Sequence, residues 1–197
     1  MVITIDGPAG AGKSTVARAV AARLGLRYLD TGAMYRALTL VALEREVPLH
    51  DAERLALLAP LAAGRSEDPG LRTPRVDAAV SAVAAHPAVR SAMRDAQRAF
   101  LAEDDAVAEG RDIGAVVWPA AGLKVWLDAD PAVRALRRVA EREDGSAAAA
   151  LHARDRSDAE QTLRAPDAVR IDTGPLTIDQ VVERVVELAV ERGAAAP

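Results

Sequence analysis

Residues 7–15 read Gly-Pro-Ala-Gly-Ala-Gly-Lys-Ser-Thr. The stretch matches the pattern G-x-x-x-x-G-K-[ST], with Gly7, Gly12, Lys13 and Ser14 at its fixed positions. In this pattern a glycine-rich turn points its backbone N–H groups at one spot, and the positive N-terminus of the following helix points there too. The stretch therefore predicts a binding site for a polyanion such as a triphosphate.

The flanking sequence supplies the strand and the helix that this pattern requires. Val2–Asp6 is a short run rich in β-branched residues, and apolar residues recur at helical spacing from 16 to 24. A glycine-rich turn with a chance lysine would lack such flanks. We therefore expect the whole loop to contact the donor nucleotide: Gly7, Pro8, Ala9, Gly10, Ala11, Gly12, Lys13, Ser14 and Thr15.

Lysine usage supports a phosphate role for Lys13. The chain contains only two lysines, Lys13 and Lys124, among 25 basic residues. A lysine is a compact point charge that fits a phosphate cradle. We expect Lys13 to reach the outer phosphates and Ser14 to ligate Mg²⁺ directly. Asp6 or Glu109 is expected to hold the waters of that ion.

Composition narrows the possible functions of these 197 residues, a length that suggests one domain. The net charge of −4 gives no indication of a nucleic-acid partner. No apolar run approaches the roughly 20 residues that span a bilayer, so we expect no membrane association. Cysteine is absent, which permits a reducing cytosol, and asparagine is absent, which excludes the Asn-Lys-x-Asp element of GTPases. We expect no signal peptide, a cytoplasmic location and a monomer.

Apolar strand-like runs alternate with helical patterns along the chain, which is typical of a parallel α/β sheet. We predict an α/β fold of the P-loop NTP-hydrolase-like type, in three layers, with a five-stranded parallel sheet flanked by helices. The predicted strands are Val2–Asp6, 27–29, 106–108, 123–127 and Val169–Asp172. The predicted helices are 16–24, 33–46, 52–63, 75–85, 88–101, 131–143, 147–158 and 178–190.

Polar and charged residues follow two of the predicted strands. Thr31 and Arg36 come after the second strand, and Arg111 and Asp112 come after the third. Ligand sites of parallel sheets form at the carboxyl ends of the strands, so these residues are expected to serve an anionic substrate. Several arginines directed at one site suit phosphoryl transfer. Arginines of the 131–143 helix are explained almost as well by an exposed helical face: Arg134, Arg137 and Arg138.

Four blocks of the sequence resemble bacterial cytidylate kinases, in order and in spacing. They are residues 3–8 running into the glycine loop, 30–36 (D-T-G-A-M-Y-R), 76–90 (V-D-A-A-V-S-A-V-A-A-H-P-A-V-R) and 109–114 (E-G-R-D-I-G). The resemblance covers nearly the whole chain. It implies that ATP with Mg²⁺ donates a phosphoryl group to CMP or dCMP.

The resemblance also implies roles for individual residues. Thr31 helps to hold the nucleotide, Arg36 and Arg111 hold the acceptor phosphate, and Arg137 belongs to the lid over ATP. The residues that read the cytosine edge are Ser81, Arg90 and Asp112. Those that approach the ribose are Arg154 and Asp158. The expected catalytic residues are Lys13, Arg36, Arg111 and Arg154.

The proposed base contacts also make chemical sense. Cytosine offers an amino donor, which an aspartate such as Asp112 can accept, and two acceptors, which Arg90 and Ser81 can satisfy. Uracil would place a carbonyl against the aspartate, leaving two acceptors facing each other, so it should be rejected.

The chain departs from the family pattern at two places. A small β-rich insert normally follows the helix that ends near Ala63, whereas only residues 64–73 stand here, so we expect a more open acceptor pocket and looser selection. The lid arginine expected at Gln161 is missing, and Arg156 or Arg164 could replace it. Within a single kinase domain over 1–197, we therefore expect a reduced monophosphate-binding region at 64–90 and a short lid at 137–164.

The residues leave two alternatives open. One is another small-molecule P-loop kinase, such as an adenylate-like enzyme. The other is a non-catalytic paralogue that binds nucleotides without transferring phosphate, to which the missing insert would point.

Overall fold

The computed structural model describes residues 1–63, 65–140 and 162–195. The chain divides into two compact units. Unit 1 comprises Met1–Leu29 and Asp104–Pro197, and unit 2 comprises Asp30–Glu103. The expectation of a single domain, with its acceptor and lid regions, stays a prediction.

A five-stranded sheet forms the centre of unit 1. Its spatial order is β2-β3-β1-β4-β5, with β1 parallel to β3 and β4, and β4 parallel to β5. The predicted five-stranded α/β sheet is thereby confirmed, with all five strands in their expected places. The strands are β1 Val2–Asp6, β2 Arg27–Asp30, β3 Ala106–Gly110, β4 Leu123–Asp128 and β5 Val169–Asp172.

Both units contain helices. In chain order they are α1 Lys13–Leu24, α2 Thr31–Glu44, α3 Ala52–Ala56, α4 Ala59–Ala63, α5 Pro74–Ala85, α6 Pro87–Glu103, α7 Pro131–Ala140 and α8 Ile178–Glu191. Among the described residues, no helix combines the length and the apolar character that crossing a bilayer requires.

The core of unit 1 is built from aliphatic side chains of the sheet and of two helices. Ile3 and Ile5 of β1 are fully buried with Val20 of α1 and Val185 of α8. Because β1 alternates, its odd-numbered residues face this helical layer. Helix α8 starts with a reciprocal capping box between Thr177 and Gln180.

Unit 2 is helical. Helix α2 packs against α4 and α5, while α3 packs against α6. Helix α2 begins at Thr31, two residues before its predicted start, because the carboxylate of Asp30 accepts the N–H of Ala33 at 2.8 Å and caps it.

Three local features differ from the predictions. The expected helix 52–63 is interrupted at Leu57 and Leu58, giving α3 and α4. Residues 64–73, which belong to none of the predicted helices or strands, contain a 3₁₀ turn, Pro69–Arg72. A π-helical turn, Ile113–Val117, follows β3 and was not predicted. The expected helix 147–158 lies outside the described residues.

The glycine loop between β1 and α1 passes very close to β4. A Cβ atom added to Gly7 would lie 2.1 Å from the carbonyl oxygen of Leu127. Because that oxygen belongs to a central strand, it has no room to move away. The first glycine of the motif is therefore required by packing, in addition to its backbone conformation.

Gly7→Ala is expected to destabilise the protein by about 2 kcal/mol or more, because the new methyl group overlaps the backbone of β4. The matched control is Gly25→Ala at the end of α1, where φ is 64° and no atom lies within 4 Å of the new Cβ. It should lose only about 1 kcal/mol, from the left-handed backbone alone. Denaturant unfolding measures both. Equal losses would show that the approach to β4 is not the limiting constraint.

Candidate active site

The glycine loop leads into a helix that lacks a capping side chain. Gly12 stands at the N-cap of α1 with φ 88°, no side chain accepts an N–H there, and the first turn has no acidic residue. The positive end of the helix is thus uncompensated by its own sequence, as anion binding requires. The ammonium group of Lys13 folds back to donate to the carbonyl oxygen of Pro8 at 2.9 Å.

Two side chains fix the orientation of the loop from behind. The Arg134 side chain is 8% exposed, and it donates to the carbonyl oxygens of Ala9 at 3.0 Å and of Ala129 at 3.2 Å. In a planar trans peptide the C=O and the next N–H point in opposite directions. Holding the Ala9 carbonyl on one side therefore directs the Gly10 N–H to the other.

Thr173, which follows β5, lies within hydrogen-bonding distance of the carbonyl of a second loop peptide. Its hydroxyl lies 3.2 Å from the Ala11 carbonyl oxygen and 3.0 Å from that of Asp128. The guanidinium of Arg137 donates to the Thr173 hydroxyl at 2.8 Å and to its carbonyl oxygen at 2.7 Å. The Gly12 N–H consequently points away from the side that Thr173 occupies.

Sequence reasoning missed both of these residues. For Arg134 an exposed helical face was almost as good an explanation as a role in the site, but the residue is buried and its guanidinium reaches the loop. A usable signal for Thr173 was present: Asp-Thr-Gly follows a strand twice, at 30–32 and at 172–174.

Ser14 and Glu109 are brought together as the predicted metal site requires. The Ser14 hydroxyl donates to the Glu109 carboxylate at 2.5 Å, and the Tyr28 hydroxyl lies 3.5 Å from the same oxygen. Glu109 is buried near the carboxyl end of β3. Because the Ser14 proton points at Glu109, the oxygen lone pairs of Ser14 are left to bind a cation.

Asp6, the other residue expected to hold metal-bound water, is engaged with the backbone. Its two carboxylate oxygens accept the N–H groups of Ile113 and Gly114, each at 2.8 Å. Burial raises the pKa of Asp6 from its ordinary value of 3.8 to about 6, although these two hydrogen bonds oppose the change. Nearby Asp112 raises the pKa further, whereas Lys13 lowers it.

The oxygen atoms of Ser14, Glu109 and Asp6 are chemically suited to Mg²⁺. Hydroxyl and carboxylate oxygens are the ligands that Mg²⁺ prefers, and the ion usually keeps several waters rather than filling a protein cage. In the part of the chain that the structure describes, no three acidic, histidine or cysteine side chains converge as a cage would demand. Ser14 as the direct ligand, with Asp6 or Glu109 holding the waters of the ion, stays a prediction.

The expected acceptor residues are distributed over both units. In unit 2, Thr31 is buried at the start of α2, Ser81 is half-buried on α5 and Arg90 is half-buried on α6. The NH1 group of Arg36 donates to the Leu71 carbonyl oxygen at 3.0 Å.

In unit 1, Arg111 and Asp112 directly follow β3. Asp112 is buried at the start of the π-helical turn, and Arg111 is half-buried beside it. Arg154, Arg156, Asp158 and Gln161 lie outside the described residues. Arg164, offered as a substitute lid arginine, is exposed.

Comparisons with known proteins agree with one another. The family model described as Cytidylate kinase matches residues 3–191. A protein named Cytidylate kinase from Deinococcus radiodurans is 46% identical over 203 residues, covering 94% of this chain and 98% of that protein. A bifunctional pantoate ligase/cytidylate kinase of a Synechococcus strain is 44% identical, over 99% of this chain but 42% of that longer protein.

Among solved structures, TT1252 from Thermus thermophilus superposes with a TM-score of 0.59. It is 18% identical, and the superposition covers 99% of this chain and 98% of that one. At this identity the likeness concerns the fold alone.

Arg134→Ala is expected to weaken binding of a nucleoside triphosphate, because the Ala9 carbonyl loses its donor and the loop its orientation. A lost charged hydrogen bond of about 1.5 kcal/mol corresponds to roughly a tenfold higher Kd. Titration calorimetry with ATP and Mg²⁺ measures it. Arg170→Ala, which removes an exposed arginine paired with Asp128, should leave Kd unchanged. Equal weakening in the two variants would contradict a role in orienting the loop.

The pKa of Asp6 predicts an unusual pH dependence of stability. Because this pKa is about 6 in the folded protein against an ordinary 3.8, the folded state binds more protons between these values. The contribution of Asp6 to the free energy of unfolding therefore rises as pH falls, by about 1 kcal/mol from pH 7 to pH 5. Denaturant unfolding in a metal chelator should show this increment in the wild type but not in Asp6→Asn. Parallel profiles would refute it.

Proposed function

The chain belongs to the cytidylate kinase family, and we propose that it transfers the γ-phosphoryl group of ATP to CMP or dCMP, giving ADP and CDP or dCDP. The observation that carries this proposal is the glycine loop on an uncapped helix, with two of its peptides held by Arg134 and Thr173. Such a loop presents convergent N–H groups, which is what a triphosphate needs.

The donor nucleotide is held by residues of unit 1. The loop binds the phosphates, and Lys13 exchanges its contact with the Pro8 carbonyl for the outer phosphates. We assign Arg137 to the lid over ATP, although it is engaged with Thr173 in this structure. Ser14 would hold Mg²⁺ directly, with Glu109 and Asp6 orienting its waters; the ion supplies positive charge to the transferring phosphoryl group.

The acceptor nucleotide is recognised by its phosphate and by its base. Arg36 and Arg111 bind the phosphate as bidentate donors, assisted by Arg154. Asp112 accepts from the cytosine amino group, while Arg90 and Ser81 donate to the base acceptors. Thr31 helps to hold the nucleotide, and Asp158 approaches the ribose.

The reaction needs no general base. A nucleotide phosphate is already ionised near neutral pH, so one of its oxygens attacks the γ-phosphorus in line and ADP leaves. Catalysis then consists of positioning and charge neutralisation by Lys13 and the arginines. A closing lid over 137–164 would exclude water and prevent wasteful hydrolysis of ATP. We further propose that the protein acts in the cytoplasm as a monomer, without nucleic-acid or membrane partners.

A coupled ADP-release assay with CMP, dCMP, UMP and AMP tests this function. CMP or dCMP should be the best acceptor, with UMP poorer by roughly 100-fold or more, because the uracil carbonyl would place a second acceptor against the Asp112 carboxylate. Preference for AMP would favour a different kinase. ATP binding without ADP release would favour a non-catalytic protein.

The same assay should compare variants of the two lysines, with Lys13→Ala as the test and Lys124→Met as its control. Lys13→Ala is expected to abolish turnover, since it removes the point charge at the outer phosphates. Lys124→Met removes the only other lysine, which lies on β4 and pairs with Asp167, and should leave kcat nearly unchanged. Near-normal turnover in Lys13→Ala would end the proposal.

A further inference from the structure

Three residues of α2 form a single stripe. Arg36, Leu40 and Glu44 are spaced four residues apart, so they lie one above the other on the same helical face. The segment 65–73, which stands where relatives of this family were expected to carry an insert, contacts each member of this stripe in turn. All of these contacts lie within unit 2.

The segment is attached at its start by ion pairs. The Arg65 guanidinium donates to both carboxylate oxygens of Glu44, at 2.5 and 3.0 Å. It also donates twice to one oxygen of Asp68, at 3.1 and 2.5 Å. Hydrogen bonding from Arg65 holds the pKa values of Glu44 and Asp68 below their usual range.

Asp68 then turns the chain back onto α2. Its second carboxylate oxygen accepts the N–H of Gly70 at 2.7 Å and caps the 3₁₀ turn. Gly70 lies against Leu40 so closely that an added Cβ would come within 3.0 Å of a Leu40 methyl group. The next side chain, Leu71, is 4% exposed. The turn thus packs closely against Leu40 of α2.

The last contact of the segment is with Arg36 itself. The Leu71 carbonyl oxygen accepts from NH1 of Arg36 at 3.0 Å, and an oxygen of Asp77 on α5 lies 2.7 Å from the same nitrogen. The Arg36 side chain is only 15% exposed. Among the described contacts, both use NH1, so the donors on Nε and NH2 are left to bind an anion.

We propose that residues 65–73 form a strap that positions Arg36 for the acceptor phosphate, with Asp68 as the residue that anchors it. This inference rests on the proposed function, in which Arg36 binds the phosphate of CMP. Asp68 acts through the Leu71 carbonyl and touches no substrate, so it is a positioning residue. Exposed ion pairs contribute little to stability. The ion pairs of Arg65 with Glu44 and Asp68 are therefore expected to act by fixing the position of the strap on α2.

Steady-state kinetics of Asp68→Ala tests the strap. The variant should raise KM for CMP about tenfold and leave KM for ATP unchanged, because only the acceptor arginine is loosened. Asp68→Asn keeps an acceptor for the Gly70 N–H and should recover most of the loss. The matched control is Asp51→Ala, which removes a cap and an Arg54 ion pair from α3 and should leave both KM values unchanged.

A double-mutant cycle separates positioning from general destabilisation. If Asp68 acts through Arg36, then Asp68→Ala in an Arg36→Ala background should change KM for CMP by less than about twofold. Additive losses in an otherwise active enzyme would overturn the strap without affecting the proposed function. Failure of the wild type to phosphorylate CMP would instead refute the proposed function.

A measurement without substrate tests whether Asp68 positions Arg36, whether or not the protein phosphorylates CMP. The Nε–Hε NMR signal of Arg36, assigned by its loss in Arg36→Lys, should broaden or shift in Asp68→Ala but not in Asp51→Ala. An unaltered Arg36 signal in a folded Asp68→Ala protein would overturn the inference.

Discussion

The orientation of two peptide groups in the glycine loop is the constraint on which the rest of unit 1 depends. Arg134 donates to the carbonyl oxygen of Ala9, and the hydroxyl of Thr173 lies close to that of Ala11. The N–H groups of the glycines that follow, Gly10 and Gly12, therefore point to the opposite side. The loop lies directly on β4, and this close approach is possible because Gly7 has no side chain. The direction of the backbone N–H groups in the loop therefore depends on the side chains of Arg134 and Thr173.

In unit 2 the group proposed to bind the acceptor phosphate is the long side chain of Arg36 rather than the backbone. Arginine has several rotatable bonds, and ordering such a side chain opposes binding by about 1 to 2 kcal/mol. Arg36 is already half-ordered by a backbone carbonyl and by Asp77. A guanidinium held at one nitrogen keeps a defined plane, which favours bidentate recognition of phosphate.

The sequence predicted those features that depend on local pattern. The strands and the glycine loop between β1 and α1 follow from residue types and from the alternation of strand-like and helical patterns. It did not predict Arg134, because a buried arginine and an exposed one look alike on a helix. Nor did it predict the break at Leu57, because the Ala-rich and Leu-rich sequence there favours helix and packing decides otherwise.

Asp6 shows why a costly buried charge is retained. Its pKa of about 6 means that ionisation at neutral pH opposes folding. Yet Asp6 directly precedes the glycine loop, and its two oxygens hold Ile113 and Gly114, which directly follow Asp112. One residue thus ties the start of the phosphate loop to the segment expected to read the base. A neutral amide would offer only one acceptor for these two N–H groups, so the second oxygen is what makes the connection complete. Stability is given up here for a fixed spacing between the glycine loop and the segment that follows β3.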